Sequence, residues 1–175
     1  MAGAGKHTAG TPAWLGAVPR PAWLGAVLAA VLCCAMLIGA TDAAASAKGI
    51  KQAIRTYIPR IDAAEGRVLS AIGEYKAKGD PAAVEEALDR SVNVVRALAA
   101  KVARQSAGSS RVRKAKAKII SGLKAIVYAY QHLATAYADK TPAPSAAKAE
   151  AEASVRAIKR GVRELAEGSK LLKHA

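Results

Sequence analysis

The chain has 175 residues, of which 52% are hydrophobic and only 4% aromatic, with no Phe, and its 27 Lys and Arg outnumber 13 Asp and Glu to give a net charge of +14. An apolar share built mostly from Ala excludes a β-sandwich or barrel, whose strands draw on β-branched and aromatic side chains, and favours an all-helical chain. The positive excess points to an anionic partner or surface and carries no information about fold.

The first 47 residues read as an export leader. Met1 to Arg20 is small and polar with Lys6 and Arg20 as its positive charges, and Pro21 to Ala40 contains no charged residue. Small residues then precede Lys48. A basic segment, an apolar run and an A-x-A site together specify a secretory signal peptide. Ala45-Ser46-Ala47 is the preferred cleavage site, with Ala43-Ala44-Ala45 as its competitor. Residues 21–40 are also long enough for an uncleaved signal anchor. In either case the remainder, 48–175, is exported. The repeated PAWLGAV at 12–18 and 21–27 reads as a local duplication. Cys33 and Cys34 both fall inside the apolar run, so a processed chain has no disulfide. Their position in mid-run argues against lipidation.

Breakers divide 48–175 into four pieces. Lys78-Gly79-Asp80-Pro81, Ala107-Gly108-Ser109-Ser110 and the Pro-containing segment 139–145 separate expected helices at about 48–77, 81–106, 110–138 and 145–173. Each has apolar residues at helical spacing. The first stripe is Ile50, Ile54, Tyr57, Ile61, Ala64, Val68, Ile72, Tyr75; the second is Val84, Leu88, Val92, Val95, Leu98, Val102. Ile119, Leu123, Ile126, Tyr130, Leu133 and Tyr137 form the third, and Ala151, Val155, Ile158, Val162, Leu165, Ser169 and Leu172 the fourth. Asp80 before Pro81, followed by Glu85 and Glu86, suits a helix start. Ser109 or Ser110 is placed to cap the third helix and Ser145 the fourth. Pro59 should kink the first helix, or else that helix begins near it. Short connections favour antiparallel neighbours, hence an all-α, antiparallel up-down-up-down four-helix bundle following the leader.

Catalytic patterns are missing. His132 and His174 are the only histidines after the leader, position 129 is Ala where a Glu-x-x-His pair would need Glu, and no phosphate-cradling glycine loop occurs. No enzyme activity, cofactor or metal is expected. Tyr130 and Tyr137 sit on the core stripe, whereas Tyr128 is offset from it and suits a contact. Small residues at Ala63, Gly66, Ser70, Gly73 and Ala77, with Gly161 and Gly168 in the fourth helix, read either as a solvent-exposed face in a chain biased toward Ala and Gly or as the place of close approach of a helix, including one from a second copy in a homo-dimer.

Charge position is the strongest functional signal. Between Asp89 and Asp139 there are ten basic residues and no acid. Lys101, Arg104, Arg111, Arg113, Lys114, Lys116 and Lys118 flank the connection between the second and third helices. In an up-down bundle this connection shares an end with Lys48, Lys51, Lys170 and Lys173. Most acids, from Glu74 to Asp89 and at Asp139, Glu150 and Glu152, fall at the other end. Cations crowding a helix N-terminus oppose its dipole by roughly 0.3–1 kcal/mol each, so stability alone would not place them there. The expected function is that of an exported, envelope-associated binding or structural module. Its basic end would contact an anionic surface or polymer: membrane lipid headgroups, a wall polymer or an acidic protein. Sequence-independent nucleic-acid binding is the alternative if the leader is not an export signal.

Overall fold

In a computed structural model the described residues, 45–138 and 144–175, form four helices and no strand. They are α1 (Ala45–Lys78), α2 (Ala82–Ala103), α3 (Ser110–Ala138) and α4 (Pro144–Lys173). The protein is therefore all-α over these residues. Residues 1–44, on which most of the expected leader falls with both cysteines, the duplication and the apolar run, lie outside the described residues. Among the described residues no helix is long and apolar enough to cross a membrane.

Local chemistry accounts for most helix ends. Gly79 adopts φ +75, which ends α1, and its N–H donates to Tyr75 O at 2.7 Å. Asp80 Oδ1 accepts from Ala82 N at 3.0 Å, and Pro81 already has helical dihedrals, so α2 begins with the acceptor-then-proline arrangement of a capped start. Ser109 Oγ accepts from Val112 N at 3.1 Å and caps α3. Two expectations need correction. The fourth helix starts at Pro144, so Ser145 falls inside its first turn instead of capping it. The first helix runs through Pro59 from Ala45, so it does not begin near that proline. Arg55 and Pro59 are both exposed, so the proline falls on the outer side of the helix.

The expected stripes form the core. All six stripe residues of α2 and all six of α3 are buried, as are Ile50, Ile54, Ile61, Ala64 and Val68 of α1 and Ala151, Ile158, Leu165, Ser169 and Leu172 of α4. Burial of each large aliphatic side chain contributes about 1.5–3 kcal/mol. Tyr57, Ile72, Tyr75 and Val162 pack against this core from its margin.

The helices do not pair equally. Consecutive helices pack together, α3 and α4 most closely of all, while α1 and α3 meet at a few points. Glycines explain the closeness of α3 and α4. A Cβ on Gly122 would stand 2.8 Å from Gly161 O, one on Gly161 2.9 Å from Gly122 O, and one on Gly168 3.0 Å from Ala115 O. The backbones occupy the space that side chains would need. On the first helix the small residues behave differently: Ala63, Gly66, Ser70, Gly73 and Ala77 are all exposed, and nothing lies within 4 Å of where a Cβ on Gly66 or Gly73 would be.

Candidate anion-binding end

The connection at 104–109 gathers several chain segments around Gln105. Its N–H donates to Val102 O at 3.1 Å, and its Nε2 to Lys101 O at 3.1 Å. Its carbonyl accepts from Lys116 Nζ at 2.6 Å. The Gln105 side chain also lies against Gly49 at the start of α1. From the start of α3, the Arg111 guanidinium donates to the carbonyl of His174, just past the end of α4. These contacts place the beginning of α1, the end of α2, the beginning of α3 and the end of α4 together. At the far end of α1, Tyr75 meets Tyr137 edge-on, with ring centroids 5.1 Å apart.

The seven sequence-selected cations fall into three groups. Lys101, Arg104, Arg113 and Lys114 are exposed, and their side chains form no ion pair among the described residues. Arg111 is exposed too, and Lys116 half-buried; each donates to a backbone carbonyl. Lys118 is different. Its Nζ lies 3.0 Å from Glu164 and 2.8 Å from Glu167. Glu167, then Glu164, hold the Lys118 ammonium above its ordinary range, and Lys118 in turn lowers Glu167. Lys118 is thus committed within the fold, and the acids that neutralise it come from α4. Lys48, Lys170 and Lys173 are exposed and Lys51 half-buried. Of the proposed cleavage residues, Ala45 opens α1 and Ala47 is fully buried in the core.

His132, of which no catalytic or ligand role was expected, sits between two neighbours. Its Nδ1 meets Glu150 of α4, and its ring packs against Tyr128. No group of three or more His, Cys, Asp or Glu among the described residues is arranged to hold a metal ion.

One buried carboxyl was not anticipated. Glu65 is 5% exposed, facing Tyr130, whose hydroxyl donates toward Glu65 Oε1 at 3.5 Å. Burial, reinforced by Asp62, pushes the Glu65 carboxyl up to about 8. Burial and Glu65 likewise raise the Tyr130 hydroxyl. The signal lay in the stripe itself: Ile61, Glu65, Val68 and Ile72 are spaced 4, 3 and 4, so Glu65 holds a core-facing register. Reading Ala64 as the core residue obscured it; both are buried.

The chain matches no protein-family model, no curated protein and no solved structure.

Proposed function

We propose that this is an exported, non-enzymatic helical protein whose basic end binds an anionic surface of the cell envelope. In this reading the four helices alternate in direction as an up-down-up-down bundle. Contacts between the start of α3 and the end of α4, and between the start of α1 and the segment after α2, support that arrangement. The carrying observation is the gathering of Lys101, Arg104, Arg111, Arg113 and Lys114, all exposed and none of them in an ion pair among the described residues, around one connection. Each adds roughly 1 kcal/mol of attraction when held near a negative membrane surface. Repulsion among the same five cations acts against folding, so their clustering is better explained by a partner than by stability.

Residues 1–47 serve as the export leader in this reading. Burial of Ala47 favours processing after Ala45 over processing after Ala47, because the earlier cut retains that methyl in the core. N-terminal sequencing of protein recovered from the envelope and medium distinguishes the two sites and the uncleaved anchor.

Substituting Lys101, Arg104, Arg113 and Lys114 together by Glu tests the binding end while sparing Arg111, Lys116 and Lys118, which also hold the fold. The wild type is expected to sediment with anionic phospholipid vesicles at low salt and to dissociate as salt rises. The variant should remain in the supernatant. Equal binding by the variant refutes the proposal, and selective retention on duplex DNA by a protein found in the cytoplasm would replace it with nucleic-acid binding.

A further inference from the structure

A separate groove of about 590 Å³ lies along the α3–α4 seam. It lies beside the glycine contact described above. The two backbones meet at Gly122 and Gly161, and the flank beside them carries short side chains such as Ala125 and Ala157. Longer side chains stand around this apolar floor: Lys124 and Tyr128 from α3, Arg156 and Arg160 from α4.

The charges along the seam follow a pattern with one interruption. On one side of the groove, Lys118 of α3 pairs with Glu164 and Glu167 of α4. On the other, His132 of α3 meets Glu150 of α4. Both flanking positions therefore set a basic or titratable nitrogen of α3 against a carboxylate of α4. Between them the pattern fails, since Lys124 shares its groove with Arg156 and Arg160. Glu152 approaches Arg156 at 3.6 Å, but both side chains are more than half exposed, and such a pair contributes little. Lys124 and Arg160 have no ion-pair partner among the described residues.

Tyr128 adds a second kind of recognition. It is 54% exposed, and His132 packs against its ring with centroids 4.0 Å apart at 68°. Glu150 holds His132 from α4. An exposed aromatic ring is thus pinned beside three cations.

We infer that this groove binds a nucleoside phosphate, with Lys124, Arg156 and Arg160 engaging the phosphates and Tyr128 stacking on the base. Guanidinium forks match phosphate oxygens in pairs, and the lysine adds a point charge. The volume is that of a small-molecule site, and an aromatic face accepts any planar base. This site is independent of the basic end.

Calorimetric titration of the full-length chain with ATP at low salt, beside tripolyphosphate and adenosine, provides the test. ATP should bind at a single site. Arg160→Glu should weaken it about tenfold or more. Tyr128→Ala should weaken ATP about fivefold or more while leaving tripolyphosphate unchanged. The four-residue Glu variant at the basic end should bind ATP at the same groove with the same stoichiometry, and Arg160→Glu should still bind anionic vesicles. Unchanged ATP affinity in Arg160→Glu overturns the phosphate site. Equal affinities for ATP and tripolyphosphate, unaffected by Tyr128→Ala, overturn the nucleoside assignment. Both substituted residues are exposed, and helicity measured by circular dichroism verifies that each variant is folded.

Discussion

The α3–α4 seam and the outer face of α1 use the same residue type to opposite ends. Gly122, Gly161 and Gly168 are buried where two backbones meet, and a methyl at any of them would run into a carbonyl of the facing helix. Gly66 and Gly73 are exposed, with open space where a methyl would be. A heptad-spaced glycine in an Ala-rich helix is therefore not by itself a mark of close packing. Polar groups show a parallel contrast: the seam keeps its carboxylates on the flank, paired with Lys118 and His132, whereas α1 carries Glu65 inward.

The largest expected effect comes from that inward carboxyl. Because Glu65 binds its proton more tightly when folded, the native state holds more protons than the unfolded chain between about 4.5 and about 8. Its contribution is fully present below the lower value and is lost as pH rises through the higher, on the order of a few kcal/mol in total. Urea denaturation of wild type and Glu65→Gln at pH 5, 7 and 9 should show the wild type losing stability relative to the variant as pH rises. A constant difference between them would mean that Glu65 is not buried.

Next in size is the seam. Gly161→Val should destabilise by about 1–3 kcal/mol, because the obstruction is the Gly122 carbonyl and Ile126 and not a flexible side-chain end. The smallest effect has the opposite sign. Gly66→Ala and Gly73→Ala should each stabilise by roughly 0.5–1 kcal/mol through the helical preference of Ala. Denaturant midpoints read both sets, and a destabilising Gly73→Ala would show that a partner helix occupies the α1 face in solution.

Much of the fold was readable in advance because its determinants are local. Gly79, Asp80 with Pro81, and Ser109 mark helix ends through their own dihedrals and hydrogen bonds. Every residue of the predicted apolar stripes in α2 and α3 is buried, and small residues such as Ala87, Ser91, Ala115, Gly122 and Ala129 complete the buried faces. The later start that Pro59 offered is not taken: a helix of thirty-four residues accommodates the proline on its exposed side. The candidate site was less accessible. Lys118 looked like its six companions until α4 brought Glu164 and Glu167 beside it. Nothing near Lys124 in sequence indicates that Arg156 and Arg160 face the same groove; only the off-stripe position of Tyr128 hinted at a contact there.

Helical class, the approximate ends of all four helices, the core stripes and the segregation of charge along the chain follow from residue type and spacing within a few turns. Those properties depend on interactions a few residues apart, where α-helical geometry is known beforehand. Which glycines touch, which cation is neutralised and which three remain together in a groove depend on the register between helices separated by a loop. Register is set by the collective fit of two surfaces, and for α3 and α4 it was set where Gly122 meets Gly161.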